Sequence, residues 1–476
     1  MSQTTAAGQH PAHASPTPRR WRVLVLLCLA QFMVILDVTV VNVALPVIAD
    51  QLGLERAGLT WVVTAYTLCL GGLMLLGGRL ADALGRRRVF LIGLAVFTLA
   101  SLGSGLAVNA TMLVASRAAQ GIGAALLSPS ALSIVTTTFH GPERNKALGV
   151  WAALGGAGAA AGVLLGGLFT AGPGWEWVFF INVPVGVLVA IALPLLLPGG
   201  ATASGGRVDV SGALLVTGGV AGLIYGLVRA GDTGWGEAGT LAALAAGAVL
   251  LAAFVVIERK NVNPLVRLGI LAHRPVLAGN LVMLAASGLL LSSFFLCSQY
   301  LQHVLRLSPL STGALFLPVA LVIGLGTHLG IRVIGRFGGR PAAAVGFALA
   351  AVGAFLLAQL PAEGNAWTDV LPGFAVAGLG LGAAFVTATT TAMAHVDPHD
   401  AGMTSGLINT GHELGASLGI AFVSTLAAAS LDTGGITGFS TAFTGMAVVA
   451  AVMVVVAVWL VPAGRPPATD GPVFAH

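Results

Sequence analysis

The sequence predicts an all-α polytopic membrane protein, and three observations lead to that prediction. Of the 476 residues, 57% are hydrophobic and 8% are charged, whereas a soluble domain carries about 25% charged residues. Glycine contributes 66 residues, about twice its usual share, and small residues let helices approach closely in lipid. The apolar runs reach the length of about 20 residues that a helix needs to cross a bilayer. A membrane β-barrel would show shorter segments of alternating polarity, so helices are expected throughout.

Taken in order, the apolar runs predict fourteen membrane-spanning helices. The first six lie near residues 22–48, 58–80, 88–108, 111–138, 145–170 and 177–197. Two more lie near 209–229 and 238–257, and a last six near 275–303, 309–331, 341–360, 368–394, 402–430 and 440–462. The first run follows a cluster of arginines and is longer than the 7–15 residues of a cleavable signal core. It is therefore expected to remain as the first span.

An even number of spans would place both ends of the chain on the same side of the membrane. With these ends in the cytoplasm, only Arg56, Arg229 and Arg306 among the 22 lysine and arginine residues lie on the opposite side, and Arg117 lies within a span. Cytoplasmic segments carry the excess of Lys and Arg. We therefore expect a protein of the cell inner (cytoplasmic) membrane with both termini in the cytoplasm.

The first six and the last six spans are related by internal repetition. The sequence GIGAA at 121–125 recurs as GLGAA at 380–384. Glycines recur every fourth residue in two corresponding spans, at Gly158, Gly162 and Gly166 and at Gly411, Gly415 and Gly419. Duplication predicts two pseudo-symmetric six-helix bundles, an arrangement typical of alternating-access transporters with a site near the mid-membrane.

The predicted organisation follows from this repetition. Its parts are a disordered cytoplasmic tail (1–21), an N-terminal six-helix bundle (22–198), an inserted two-helix hairpin (209–257), a C-terminal six-helix bundle (275–463) and a second cytoplasmic tail (464–476).

A charged loop follows the second span and is a candidate conformational latch. It contains Gly78, Asp82, Gly85, Arg86 and Arg87. Glycine permits a sharp turn, and a carboxylate at this edge can pair with arginine or with the positive N-terminal end of a neighbouring helix. The alternative is that the arginines only anchor the loop on the cytoplasmic side.

Two charges inside the predicted spans are expected to pair. Asp37 lies about 15 residues, or some 22 Å, into the first span, and Arg117 lies about six residues, or some 9 Å, from the opposite end of the fourth. Across roughly 30 Å of hydrocarbon these depths nearly coincide. An intramembrane arginine costs roughly 2.5–3.5 kcal/mol on insertion scales, so a partner is expected, and the pair is a candidate for proton coupling.

Three stretches resemble the signatures of a known family. Residues 78–88 (GRLADALGRRR) resemble the loop signature of the major facilitator superfamily, and 113–125 (LVASRAAQGIGAA) resemble its span-4 arginine signature. Residues 36–46 (LDVTVVNVALP) resemble the first-span signature of its 14-span drug:proton antiporter branch. Residues 61–66, 175–184 and 402–419 fit the same branch. The resemblance implies the major facilitator fold and export driven by a proton gradient, without a cofactor.

The resemblance also implies where the halves meet. In exporters of this superfamily the spans corresponding to the fifth and tenth form the interface between the two bundles. The glycines Gly158, Gly162 and Gly166 of span 5 and Gly326 and Gly330 of span 10 are therefore expected to pack there.

Several polar residues within the spans are candidates for a substrate cavity. They are Gln31, Asn42, Tyr66, Gln120, Gln299, Asn409 and Glu413. The alternative for each is packing or a hydrogen bond between helices.

Glu413 is the most informative of these residues. It lies about 11 residues, or some 16 Å, into its span, close to mid-membrane, and is a candidate for binding cations and a second proton. Some members of the resembled family place an acid in this span, where it influences recognition of cationic substrates. The alternative is a static bridge to His412, Arg117 or His328.

These features favour a proton-coupled antiporter that exports lipophilic, often cationic drugs or secondary metabolites. No P-loop is present, so an ion gradient is the expected energy source. The alternatives are a dedicated exporter of one endogenous antibiotic, siderophore or lipid, and a membrane-embedded enzyme, for which no catalytic residue pattern is found. The expected partners are a small substrate, protons and the lipid bilayer. We expect a monomer that binds no metal and no nucleic acid.

Overall fold

A computed structural model describes residues 17–54, 56–139, 141–197, 209–261, 269, 273–394, 396, 401–433 and 435–464. These residues form helices joined by short turns, and no strand occurs among them. The predicted N-terminal tail lies outside the described residues except for 17–21, which are helical because the first helix begins at Thr17. Of the predicted C-terminal tail, only Gly464 is described.

The first half of the chain contributes seven helices. They are α1 (Thr17–Leu52), α2 (Arg56–Leu84), α3 (Arg86–Gly105), α4 (Ala110–Thr138), α5 (Gly141–Ala171), α6 (Trp177–Phe180) and α7 (Asn182–Leu196). The short α6 and the longer α7 together occupy the sixth predicted span. An inserted hairpin follows, formed by α8 (Val210–Thr233) and α9 (Ala238–Glu258).

The second half contributes six long helices. They are α10 (Arg274–Gln299), α11 (Pro309–Phe337), α12 (Gly339–Leu357), α13 (Leu371–Met393), α14 (Ala401–Thr433) and α15 (Thr437–Leu460). Two π-helical turns, Tyr300–Val304 and Ala366–Val370, extend the end of α10 and the start of α13.

Helices thus occupy each of the fourteen positions at which a span was predicted. Over the described residues, 12 are long and apolar enough to cross a membrane. The helices α5 and α14 are not among these 12, so the number of fourteen spans stays a prediction.

The two halves pack in the same way, as the internal repetition predicts. Helix α1 packs on α5, α2 on α4 and α3 on α4; correspondingly, α10 packs on α14, α11 on α13 and α12 on α13. The halves meet where α5 contacts α11 and where α2 contacts α14. Helix α8 lies against both α2 and α14, so the inserted hairpin covers one of the two seams between the halves.

We call the face of the protein at which α1 begins the terminal face. At this face, arginines at the starts of helices in the first half donate hydrogen bonds to the end of α7. Arg19 of α1 donates from Nε to the carbonyl oxygen of Leu196 at 2.8 Å, and Arg87 of α3 donates to that of Pro194 at 3.5 Å. Both acceptors belong to the last turn of α7, whose carbonyls have no partner within the helix. Cations are favoured at this negative end of the helix dipole.

The second half repeats this arrangement at the same face. Arg274 of α10 donates from Nε to the carbonyl oxygen of Leu460 at 3.2 Å, and Arg340 of α12 donates to that of Val461 at 2.9 Å. Both acceptors lie at the end of α15. The basic residues at these helix starts therefore cap helix ends as well as marking one side of the protein.

The glycines expected at the interface between halves pack within their own half instead. A Cβ at Gly158 would lie 2.7 Å from Ile35 of α1, and one at Gly162 would overlap Thr39 of the same helix. Gly166 faces Val43. The expected meeting of spans 5 and 10 is confirmed, because α5 contacts α11, but the expectation that these glycines line that contact is wrong. The glycines allow α1 and α5 to approach closely, a role that sequence spacing alone does not distinguish from a contact between halves.

Span 10 shows the same difference. A Cβ at Gly326 would overlap the carbonyl oxygen of Leu379 in α13, and one at Gly330 would lie 2.9 Å from Ala383 Cα. Both glycines therefore serve the α11–α13 contact within the second half.

Candidate functional site

The central feature of the first half is an ion pair sealed inside the helices. Arg117 Nη1 of α4 donates to Asp37 Oδ2 of α1, and the two side chains are 1% and 0% exposed. Asp37 is the only charged residue in this part of α1, and Arg117 enters from the neighbouring helix at the same depth. The structure therefore brings together the two residues whose depths in the sequence coincide.

Asp37 receives further hydrogen bonds from side-chain amides. Its Oδ1 accepts from Gln120 Nε2 at 3.0 Å and from Asn182 Nδ2 at 3.1 Å. Gln120 Nε2 also donates to Ser101 Oγ at 2.8 Å. Gln120 lies one helical turn after Arg117, so both face α1. Helices α3 and α7 supply Ser101 and Asn182, so side chains from four helices, α1 included, form this cluster.

Sequence reasoning did not identify Asn182 and Ser101 as site residues. Asn182 is the first residue of α7 and is 1% exposed; the signal available was an amide at the start of an apolar run, within a stretch that fits the resembled family. Nothing in the spacing of Ser101 marks it out.

The guanidinium of Arg117 is held on its other sides as well. Its Nε donates to the backbone oxygen of Val62 at 3.1 Å, and its Nη1 also reaches Gln120 Oε1 at 3.0 Å. The ring of Tyr66 lies 4.2 Å from Arg117 Cζ, a cation–π contact. Tyr66 and Gln120 were expected at a cavity wall; both are fully buried and belong to the Asp37 cluster.

The two charges of this pair depend on each other. In a buried pair each charge is compensated by the other, and removing one leaves the other uncompensated at a cost of about 3–5 kcal/mol. The ion pair therefore holds α1 against α4 for as long as both charges are present.

Glu413 lies where the two halves meet. A Cβ at Gly71 of α2 would lie 3.2 Å from Glu413 Cβ of α14 and 2.6 Å from Ile224 Cδ1 of α8. The Glu413 side chain is 17% exposed, and His412 Nδ1 lies 3.3 Å from its Oε1. Of the static bridges considered, the structure places His412 beside Glu413, whereas Arg117 is engaged by Asp37.

The remaining cavity candidates lie on three helices of the two halves. Gln31, Gln299 and Asn409 are half-buried on α1, α10 and α14. Asn42 lies in α1, but its side chain is outside the described part of the chain.

The loop between α2 and α3 has the geometry of a turn with an acid at its edge. Asp82 Oδ1 lies 3.5 Å from Arg86 Nη2, one helical turn away. Gly85 has φ of 95°, a backbone conformation that favours glycine. Gly78 is buried in α2, and Arg87 caps the end of α7. Arg86 and Arg87 thus have specific partners in the first half.

Within the described residues, no group of three or more His, Cys, Asp and Glu side chains could hold a metal ion. The three cysteines, Cys28, Cys69 and Cys297, are free.

Curated proteins of similar sequence are resistance and export proteins. The chain is 41% identical to a puromycin resistance protein of Streptomyces alboniger, over 86% of this chain and 82% of the relative. It is 40% identical to a cephamycin export protein of Amycolatopsis lactamdurans, over 87% and 86% of the two chains. It is 33% identical to a tetracenomycin C resistance and export protein of Streptomyces glaucescens, over 89% and 80%.

Solved structures share the fold at low sequence identity. A proton:xylose symporter superposes with a TM-score of 0.66 at 16% identity, over 96% of this chain and 98% of its own. The human organic anion transporter superposes with a TM-score of 0.64 at 16% identity, over 93% and 100%.

The family model described as Major Facilitator Superfamily matches residues 27–420, which include most of both halves and the hairpin between them. Its members are membrane transporters, so the interpretation as a membrane-embedded enzyme is set aside. The duplicated bundles, the sequence relatives and the shared fold agree: the chain belongs to the major facilitator superfamily.

Proposed function

We propose that the protein is a proton-coupled antiporter of the bacterial inner membrane that exports lipophilic, often cationic drugs or secondary metabolites by alternating access. The chain is a multi-pass membrane exporter, as its resistance and export relatives indicate. We propose in addition that a proton gradient drives export and that the substrate is lipophilic and often cationic. We also propose that both termini lie in the cytoplasm and that the protein acts as a monomer.

The main support for proton coupling is the fully buried Asp37–Arg117 pair, with the side-chain amides that donate to Asp37. Ionisable residues inside membrane spans are costly and mark ion and proton pathways. Asp37 is held so that its charge is compensated only while Arg117 stays in place. One charge crossing 100 mV yields roughly 2.3 kcal/mol, which supports a concentration ratio of about fifty-fold.

Two observations support the substrate class. Glu413 places a carboxylate at the contact between the halves, beside Gly71. The negative charge of this carboxylate favours binding of cationic groups. An apolar cluster lies along the same contact between the halves, and Leu75 of α2, Ile224 of α8 and Met403 of α14 belong to it. A lipophilic body with a positive charge matches both features.

A second candidate function is export of a single endogenous antibiotic. It is favoured by the relatives named for one compound each, the cephamycin and tetracenomycin C export proteins. A panel of structurally unrelated substrates distinguishes the two functions, since a dedicated exporter protects against one chemical scaffold and a multidrug exporter against several.

The test is accumulation of a lipophilic cation such as ethidium in an efflux-deficient bacterial host, with and without an uncoupler. The wild-type chain is expected to lower accumulation, and the uncoupler to abolish this effect. Asp37→Asn keeps the size of the side chain but removes the titrating group, so it should insert normally and export nothing. Asp50→Asn, at an exposed position near the other end of the same helix, serves as the matched control and should export normally.

Either of two results would overturn the proposal. One is export that survives collapse of the proton gradient. The other is wild-type-like, gradient-dependent export by Asp37→Asn.

A further inference from the structure

The inserted hairpin fits into the seam between the halves at a pair of glycines in α2. A Cβ at Gly72 would lie 3.3 Å from Ala221 Cβ and from the backbone oxygen of Thr217, both in α8. Gly71, on the neighbouring face, leaves room for Ile224 of α8 and for Glu413 of α14. Helix α8 therefore contacts both halves along its length.

Near the far face, opposite the terminal face, the hairpin is attached to the first half by an aromatic contact. The rings of Trp61 in α2 and Tyr225 in α8 are stacked, with centroids 5.6 Å apart and an angle of 28° between their planes. Offset stacking of this kind contributes about 0.5–1.5 kcal/mol beyond the burial of the rings.

The tip of the hairpin is attached to the second half by one hydrogen bond. Trp235, in the turn between α8 and α9, donates from Nε1 to Thr425 Oγ1 of α14 at 2.9 Å. The hydroxyl of Thr425 donates in turn to the backbone oxygen of Ala421 at 2.8 Å. Its hydrogen is therefore directed along α14, which leaves the oxygen free to accept from Trp235.

The turn that carries Trp235 is held rigid from within the hairpin. Arg229 of α8 pairs with Glu237 at 2.8 Å, and Glu237 accepts from the backbone N–H of Thr240 at 2.8 Å to cap α9. The hydrogen bond from Arg229, followed by those from the backbone N–H groups of Gly239 and Thr240, lowers the pKa of Glu237 to about 2. Glu237 therefore stays charged, and the turn stays braced, at physiological pH.

We propose that the inserted hairpin is an external clasp, which joins the two halves at the far face and opens when Trp235 leaves Thr425. The proposal rests on the proposed function, because it takes the halves to separate at this face during export. The stack of Trp61 on Tyr225 keeps the tip with the first half, and the single Trp235–Thr425 bond is the contact at the tip that opening breaks. The hairpin thereby stabilises the state in which the far face is closed.

The experiment measures the separation of the halves directly. Spin labels are attached at Val108→Cys, in the turn between α3 and α4, and at Glu363→Cys, in the turn between α12 and α13, after the native cysteines have been replaced by alanine. Both positions are exposed and lie at the far face, one on each half. Pulsed electron–electron double resonance in nanodiscs then measures the distance between the two labels. The distance distribution gives the populations of the closed and the open state.

Two variants remove opposite ends of the bond. Trp235→Phe keeps an aromatic ring without the N–H donor, and Thr425→Val keeps the shape without the acceptor. A net hydrogen bond of about 1 kcal/mol corresponds to about five-fold in an equilibrium. Each variant is expected to raise the open-to-closed ratio about five-fold, and the double variant to raise it no further than either single variant.

The matched controls are Trp367→Phe and Thr441→Val. Trp367 is exposed at the far face, and the Thr441 hydroxyl bonds only within its own helix, to Thr437 at 2.9 Å. Both controls should leave the populations unchanged. Unchanged populations in Trp235→Phe and Thr425→Val, equal shifts in the controls, or additive shifts in the double variant would each overturn the clasp.

The measurement separates this proposal from the proposed function. It needs no substrate and no proton gradient, so a chain that fails to couple export to protons still reports whether the clasp holds. Conversely, loss of the clasp leaves the uncoupler test of export readable.

Discussion

At the scale of single residues, Glu413 is the side chain whose charge can be tested independently of proton coupling. Glu413→Gln keeps the shape at the contact with Gly71 but removes the negative charge, which attracts cations strongly where water is scarce. Export of divalent or permanently cationic compounds should fall roughly tenfold, equivalent to about 1.4 kcal/mol, while export of neutral analogues changes little.

Accumulation assays with paired cationic and neutral compounds check this expectation, and Glu363→Gln, at an exposed turn, is the control. An equal loss for both classes would assign Glu413 a general coupling role. No loss for either class would remove it from the site.

Asn182 is expected to hold the Asp37 carboxylate in the position that export needs. Asn182→Leu removes a donor to Asp37 Oδ1, and losing one partner of a buried hydrogen bond costs about 1–3 kcal/mol. Export should therefore fall roughly tenfold, equivalent to about 1.4 kcal/mol. Export from proteoliposomes under a fixed proton gradient measures the loss. Wild-type export by Asn182→Leu would remove Asn182 from the site.

The Asp37 cluster also shows which parts of a site a sequence can predict. The depth of a residue follows from its position in a span, because each residue adds 1.5 Å, and depth was sufficient to pair Asp37 with Arg117. Which other side chains face the pair depends on the rotation of each helix about its axis. Periodicity constrains that rotation poorly in spans that are apolar on all sides, and so Asn182 and Ser101 were not predicted.

At the scale of helices, α11 carries two glycines that allow a matched comparison. Gly326→Ala would force a methyl group into the backbone of α13 at Leu379, whereas Gly324, two residues earlier, has no atom near the position of its missing Cβ. Overpacking costs about 1–3 kcal/mol, and alanine favours a helix over glycine by about 1 kcal/mol. Gly326→Ala should therefore lower the unfolding temperature, and Gly324→Ala should leave it unchanged or raise it.

Thermal unfolding in detergent, followed by tryptophan fluorescence, measures both variants. Equal stability of the two would refute the close α11–α13 contact. The sequence marked Gly326 as a packing glycine but assigned it the wrong partner, since a glycine at close spacing predicts that some helix approaches and leaves open which one.

At the scale of the whole molecule, the distribution of arginines predicts the orientation in the membrane. In intact cells, a cysteine at Val108 on the far face should react with a membrane-impermeant maleimide. A cysteine at Leu84, which is exposed near the terminal face, should react only after the inner membrane is permeabilised. The reverse pattern would show that the far face lies in the cytoplasm. The clasp would then close the cytoplasmic side of the protein.

The duplicated fold was predictable as a whole because composition, span length and internal repetition all reflect the same architecture. The place of the hairpin was not predictable in this way. Its position in the seam depends on Gly71 and Gly72 facing α14 and α8, a relation between three helices that no single stretch of sequence contains.

The four arginines that cap helix ends have a mechanical consequence. Each arginine donates a hydrogen bond to a helix of its own half; the four are Arg19, Arg87, Arg274 and Arg340. These hydrogen bonds therefore remain intact when one half tilts relative to the other. Opening near this face instead strains contacts across the seam, such as that of Leu75 with Gly406, which is apolar. If the proposed function holds, a lipophilic substrate would replace such a contact with its own apolar surface, so that binding of the substrate would lower the free energy of opening this face.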